Sequence, residues 1–248
     1  MSSTAPDGRV AVVTGAGRGI GEAIAAELHH RGCQVHLLDR DAATAAAAAA
    51  RLGERAVACV ADVRSRQQLE ETLGGIHSRH GRLDILVNNA ARTLNRSVWE
   101  ISDDEWDDVL GTNLRSVFIA CQLAGALMRE QGSGRIVNLA SLAGQQGGLV
   151  AGAHYAASKA GILVLTKIFA RELAPYSVTV NAVAPAAIDG PIMQSLGGER
   201  IERIASSIPV GRIGTPSEVA SIVAYLASEE AGFITGATVD VNGGVFMR

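Results

Sequence analysis

Tyr155 and Lys159 stand four residues apart at the start of a helical segment beginning near His154, a spacing that turns both side chains to one helix face. A phenol ionises near pH ~10 in water, and an ammonium group beside it stabilises the phenolate, so the pair supplies a proton donor or acceptor. Ser141, just after an apolar β-branched run, is suited to hydrogen-bond a carbonyl or hydroxyl oxygen. Asn113 is suited to hold a water that links Lys159 to solvent. Singly these residues mean little, because Tyr-x-x-x-Lys recurs by chance and Ser141 is an ordinary turn residue. Jointly they describe proton transfer at an alcohol or carbonyl oxygen.

A second cluster reads as phosphate binding. Thr14-Gly15-Ala16-Gly17-Arg18-Gly19-Ile20-Gly21 follows the first apolar run, at a strand-to-helix turn of the kind that receives a dinucleotide pyrophosphate. Glycines let the backbone turn tightly and approach the phosphates, although Ile20 alters the usual glycine spacing. The alternative is a merely tight turn. Asp39 closes the second run, where a carboxylate accepts hydrogen bonds from ribose hydroxyls and repels a 2′-phosphate. Arg18 and Arg40 favour phosphate and pull the other way. The acidic position is the better discriminator, so the cofactor expected is NAD(H) rather than NADP(H). A capping role for Asp39 before Ala42 is compatible with this.

These residues need a frame. Apolar runs at 10–13, 35–38, 57–60, 85–87, 136–139, 178–183 and 238–241 read as strands, with helices between them at 19–31, 42–52, 67–79, 103–129, 156–174 and 217–227. This alternation predicts one α/β domain over 1–248, a Rossmann-type doubly wound fold with a seven-stranded parallel sheet and helices on both faces. The alanine run at 45–50 is a surface helix ended by Gly53, not a linker. The excursion at 189–209, rich in glycine, is a candidate lid.

Bulk properties exclude other classes. Hydrophobic residues make up 48% and aromatics 4%, with 28 glycines, which describes an Ala/Val/Leu/Ile core rather than disorder. A net charge of -3 without runs of like charge argues against nucleic acid. Apolar stretches are far shorter than a membrane span and the first residues carry no apolar signal core, so no membrane association and a soluble, cytoplasmic protein are expected. Cys33, Cys59 and Cys121 lie far apart inside apolar segments and read as small core residues. His29, His30, His77 and His80 fall at helix ends without a ligand cluster, so no metal is expected.

The chain resembles the short-chain dehydrogenase/reductase family over nearly its whole length. The resemblance rests on ordered motifs: the 14–21 turn, Asp62, Asn88-Asn89-Ala90, Asn113, Ser141, Tyr155-Ala156-Ala157-Ser158-Lys159, and 181–185. Towards the end come Gly211-Arg212-Ile213-Gly214-Thr215-Pro216, Phe233-Ile234-Thr235-Gly236 and Asp240-Val241-Asn242-Gly243-Gly244. It implies catalysis by Ser141, Tyr155 and Lys159 with Asn113 completing a proton relay. It further implies cofactor contacts at Gly15, Gly17, Arg18, Gly19, Ile20, Gly21, Asp39, Arg40, Asp62, Val63, Asn89, Ala90, Tyr155, Lys159, Pro185 and Ile188. Three positions depart from the family's pattern. Ala91 and Ala186 replace glycines, and Gly190 stands where a threonine commonly touches the nicotinamide, a contact the Ile188 backbone is left to supply.

Substrate preference falls to the loops at 93–98, 142–154 and 188–209. Ser141, Gln145, His154, Tyr155, Ile192 and Met193 are the candidate contacts, His154 reading first as an ordinary helix-cap neighbour, with Gln146, Leu149, Val150 and Leu196 adding a mixed apolar and amide lining. A small secondary alcohol or ketone fits best. The nearest look within the family is the 3-oxoacyl-carrier-protein reductase type, whose usual preference for NADPH runs against Asp39. A sugar or polyol dehydrogenase, a cofactor-sensing regulator without turnover, and a structural subunit are the rivals. The resemblance also implies a homotetramer built on the long helices at 103–129 and 156–174, whose apolar faces core burial explains equally well.

Overall fold

A computed structural model of the chain describes residues 8–148, 151–194 and 197–247, without the side chains of Pro191 and Ile192. Seven strands, β1 (Val10–Thr14), β2 (Gln34–Asp39), β3 (Ala56–Val60), β4 (Ile85–Asn88), β5 (Gly134–Leu139), β6 (Val178–Pro185) and β7 (Thr238–Val241), pair in parallel in the order β3-β2-β1-β4-β5-β6-β7. The connecting helices include α1 (Gly19–His30), α2 (Ala42–Leu52), α3 (Arg66–His80), α4 (Asp103–Leu110), α5 (Ser116–Gln131) and α6 (Ala143–Gln146). They continue with α7 (Ala153–Leu173), α8 (Pro191–Gln194), α9 (Gly198–Ser206) and α10 (Pro216–Leu226). The chain leaves β1 towards one edge and returns through β4 towards the other, so the order reverses between these two strands. A crevice at the carboxyl ends of the strands follows from that reversal.

Two cores sandwich the sheet, and the period of two along each strand decides which core a residue joins. Val10 and Val12 of β1, Leu86 of β4, Ile136 of β5 and Val180 of β6 face α3, α5 and α7. Ala11, Val13, Ile85, Val87, Val137 and Val183 face α1, α2 and α10. Burying a Val, Leu or Ile side chain contributes roughly 1.5–3 kcal/mol, so strands with both faces covered must be apolar throughout. The alanine run forms α2, capped by the Asp41 carboxylate, which accepts from the Ala43 and Thr44 N–H groups. Its Ala45, Ala48 and Ala49 are buried and the rest of the helix is largely exposed.

Three expectations change. The helix expected at 103–129 is interrupted by a π-helical stretch, Gly111–Arg115, between α4 and α5. The Tyr155 helix begins at Ala153, one residue from the start expected near His154 and ahead of the narrower 156 limit, with Gly152 as an uncapped N-terminal boundary. Cys33 and Cys121 are buried, whereas Cys59 on the edge strand β3 is only half-buried, its Sγ 3.6 Å from His36 Nδ1. None of the described helices is long and apolar enough to cross a membrane.

Candidate active site

The glycine turn after β1 is shaped by what cannot fit there. Gly15 has φ +63°, and a Cβ on it would lie 2.8 Å from Ala90 Cα. A Cβ on Gly21 would run into the Gly15 carbonyl and the Asn89 amide, so α1 packs against its own entry turn only as glycine. Asn89 braces the turn by donating from Nδ2 to the carbonyls of Thr14 and Gly15, both at 3.0 Å. Thr14 Oγ1 in turn accepts from the N–H groups of Asn89 and Ala90.

The N-terminus of α1 has no side-chain cap, while Asp41, Ser65, Ser102 and Thr215 cap α2, α3, α4 and α10. Its first-turn N–H groups and positive dipole end are left for an anion. They open on a cleft of about 790 Å³ lined by Gly15, Arg18, Gly19, Ile20 and Gly21 at this point. Such a turn, open to an anion and too tight for a Cβ, fits a dinucleotide pyrophosphate.

Farther along the cleft, Asp39 Oδ2 accepts the Gly17 N–H at 3.0 Å and Oδ1 the Asp41 N–H at 3.1 Å. Asp39 therefore shapes the turn, Asp41 caps the helix, and each Asp39 oxygen keeps a free lone pair for a hydroxyl donor. Gly17 is buried behind the cleft instead of lining it, because its N–H is turned to Asp39. Arg18 and Arg40 line the cleft and are exposed, and their guanidinium groups have no hydrogen-bond or ion-pair partner among the described residues. Asp62, Val63, Asn89 and Ala90 complete this end.

At the other end Lys159 is buried, with Nζ donating to the Leu139 carbonyl at 2.6 Å and lying 5.6 Å from the centre of the Tyr155 ring. Burial disfavours its charge and pulls its pKa down to about 8. Burial likewise pushes the Tyr155 phenol up, opposed by hydrogen bonding with Ser141 and Thr93. Ser141 Oγ accepts the Ala143 N–H at 3.1 Å, lies 3.5 Å from the Pro185 carbonyl and neighbours the Tyr155 hydroxyl, so its hydrogen can turn towards an oxygen in the cleft. A Cβ on Gly144 would sit 2.5 Å from the Lys159 carbonyl carbon, so the turn carrying Ser141 seats directly on the helix carrying Tyr155.

Tyr155, Lys159, Ser141, Pro185 and Ile188 all line the same cleft as the glycine turn. Asn113 does not. It is fully buried in the π-helical stretch, its Oδ1 accepting the Arg92 N–H at 2.7 Å. Its Nδ2 donates to the Arg92 carbonyl at 3.0 Å and to Ser158 Oγ at 3.1 Å. The extra residue in that turn presents the amide between the loop after β4 and α7, with one amide hydrogen on the Arg92 carbonyl and the other on Ser158 Oγ.

The expected substrate contacts fare unevenly. His154 is fully buried, with Nδ1 accepting the Tyr155 N–H and Nε2 facing Glu105. Gln145 lies under the cleft rather than in it, donating to Asp240 Oδ1 at 2.7 Å with Oε1 buried and unpartnered. Met193 on α8 is half-buried and off the cleft lining. Leu149, Val150, Leu196 and the side chain of Ile192 lie outside the described residues. Sequence reasoning missed Arg92, Thr93 and Thr112, which do line the cleft. Only the position of Thr93 in the loop after β4 hinted at it.

Ala91 and Ala186 keep negative φ, since Arg55 and Ser177 are the only described non-glycine residues with positive values. The bridge between Ile188 and Gly214 uses the Ala187 carbonyl and the Asp189 N–H, which leaves Ile188's own N–H and C=O out of it.

Residues 15–246 match a family described as enoyl-(acyl carrier protein) reductase. The chain is 41% identical to the 3-oxoacyl-(acyl-carrier-protein) reductase FabG of Vibrio harveyi, over 97% of this chain and 98% of that protein. The protein of the same name from Escherichia coli strain K12 is 39% identical over 97% and 98%, and that from Staphylococcus aureus strain Mu50 is 40% identical over 96% and 98%. A parallel sheet in this order, an uncapped glycine turn sharing a cleft with Tyr155 and the buried Lys159, and full-length likeness to these reductases lead to one assignment: the chain belongs to the short-chain dehydrogenase/reductase family of oxidoreductases.

Proposed function

We propose that the chain reduces the ketone of a 3-oxoacyl thioester to the secondary alcohol, using NADH in preference to NADPH. The observation that carries this reading is the convergence of Tyr155, Ser141 and Lys159 on the cleft that holds the glycine turn. The names of the relatives favour a 3-oxoacyl group over the wider class of ketones and alcohols, which remains the coarser form of the reading.

Bound nicotinamide supplies the hydride for the carbonyl carbon. Ser141 donates a hydrogen bond to the substrate oxygen and orients it. Tyr155 gives that oxygen its proton, and charge left on the phenolate is balanced by the buried Lys159 ammonium, in a site where low dielectric strengthens the attraction. Asn113 holds the loop after β4 against α7, and the segment at 189–209 acts as the lid. Gly15, Gly19, Ile20 and Gly21 take the pyrophosphate, Asp62, Val63, Asn89 and Ala90 the adenosine and turn, and Pro185 and the Ile188 backbone the nicotinamide end.

Support for NADH comes from the spare lone pairs of Asp39. The unpaired Arg18 and Arg40 are what a 2′-phosphate would use. The test is steady-state reduction of acetoacetyl-coenzyme A and a ketone panel with both cofactors. Expected are turnover on the thioester, higher kcat/KM with NADH, a ratio that narrows in Asp39→Ala, and loss of turnover with retained NADH binding in Tyr155→Phe. Near-normal kcat in Tyr155→Phe, or no oxidation of NADH or NADPH with any carbonyl substrate, sinks the reading.

A further inference from the structure

The loop after β4 is tied down at every second residue. Asn113 grips Arg92, the Leu94 carbonyl accepts the Gly152 N–H at 3.0 Å, and the Arg96 guanidinium meets the Glu105 carboxylate at 3.2 and 3.4 Å. Between the first two ties stands Thr93, a hydrogen-bonding neighbour of the Tyr155 hydroxyl. The third tie continues inward, because Glu105 Oε1 also lies 3.1 Å from His154 Nε2.

His154 is fully enclosed, and its hydrogen bonds fix its tautomer. The Tyr155 N–H, 2.9 Å away, can only donate, so Nδ1 is the bare nitrogen and Nε2 carries the hydrogen that Glu105 accepts. That N–H belongs to the first turn of α7, whose boundary residue Gly152 offers no side-chain cap, so His154 satisfies an otherwise orphaned donor. A Cβ on Gly152 would lie 2.5 Å from His154 Cε1 and 3.2 Å from the Leu94 carbonyl, so ring and loop occupy the space a side chain would need. The Arg96 guanidinium above all, then the His154 contact, keeps the Glu105 carboxyl below its ordinary range despite desolvation, which preserves it as an acceptor.

We propose that Glu105 and His154 form a positioning couple, which fixes Tyr155 in the first turn of α7 and locks the loop bearing Thr93 over its hydroxyl. The couple touches neither substrate nor cofactor. It acts by holding the proton donor and the loop in one geometry, and so rests on the carbonyl reduction proposed above. A misplacement of about 1 Å at such a centre can cost on the order of 100-fold in rate.

Two substitutions separate the two bonds of the ring. His154→Asn keeps an acceptor near the position of Nδ1 and loses Glu105. His154→Gln keeps an amide near Nε2 and loses the acceptor for the Tyr155 N–H. With acetoacetyl-coenzyme A, each is expected to lower kcat by about tenfold or more while the NADH dissociation constant, read by fluorescence, stays within about twofold. Glu105→Leu should do the same, and Glu105→Gln, which retains an acceptor, should recover most of the rate. The Glu105→Leu/His154→Asn double variant should be no slower than its worse parent, because both break one link.

The couple is overturned by single variants that keep kcat within twofold, by additive losses in the double variant, or by kcat and NADH binding falling together. Should the His154 variants not fold, the Glu105 pair decides alone, since that side chain is 17% exposed. A substrate-free measurement separates the two proposals: the 15N spectrum of the wild-type His154 ring should report protonated Nε2 and bare Nδ1. The opposite tautomer overturns the couple even where carbonyl reduction stands. A wild type without turnover overturns the reaction and leaves the tautomer to decide the couple.

Discussion

Lys159 is one of only two lysines in the chain, the other being Lys167, and it is the one enclosed against the Leu139 carbonyl. Desolvation lowers its pKa from 10.5 to about 8. Below about pH 8 the amine is charged in both the folded and unfolded chain, and the folded state bears the full penalty of enclosing it. Between about 8 and 10.5 the unfolded chain binds the proton and the folded chain does not, so stability contributed by this residue rises with pH across that window. Urea unfolding of wild type against Lys159→Met should therefore show wild type gaining by about 3 kcal/mol at most from the lower to the upper end of that window. A flat difference would mean that the amine keeps its ordinary affinity for the proton in the folded chain, as a hydrated lysine does. That Tyr155, Lys159 and Ser141 would meet in one place was legible from their types and order, and all three line one cleft. His154 serves the start of its helix rather than the cleft for a geometric reason: neighbouring residues on a helix point about 100° apart, so adjacency to Tyr155 turns its ring inward.

The break between α4 and α5 was hidden from pattern reading, because one extra residue in a turn leaves the apolar spacing on either side intact. Its consequence is the grip on Arg92. Asn113→Ala would strip partners from the Arg92 N–H and C=O at once, and an unsatisfied buried polar group costs roughly 1–3 kcal/mol. The expected result is a loss of about 2–4 kcal/mol in unfolding free energy together with a reduced kcat, as the loop carrying Thr93 loosens. Unfolding within 0.5 kcal/mol of wild type would show that water replaces the amide there. Helix limits, by contrast, were read to within one to three residues elsewhere, since Asp41, Gly53 and Pro216 punctuate the sequence where caps and breaks occur.

Across the whole molecule, the seven-stranded parallel sheet followed from the alternation of apolar runs and helices, and the two-sided core followed from the same runs. What the sequence left open is how α5 and α7 treat their outer faces. Phe118 is 41% exposed, Val164 57% and Ile168 48%, and Phe118 and Val164 also border a shallow groove with Leu114 and Leu165. Core burial therefore does not account for all of the apolar residues on these helices. If copies of the chain pack there, as a homotetramer requires, Val164→Asp should convert the sedimenting species to a smaller one without altering the far-ultraviolet circular dichroism. Wild type sedimenting as a monomer at micromolar concentration would remove the tetramer from consideration.

The bare end of α1 has a consequence for small anions. The helices that follow β2 and β3 have first-turn amides answered from within the chain, by Asp41 and Ser65, whereas those of α1 are left for an anion to answer. Inorganic pyrophosphate, though it lacks both the base and the reactive ring, should accordingly behave as a crude plug for that opening and compete with the dinucleotide for entry.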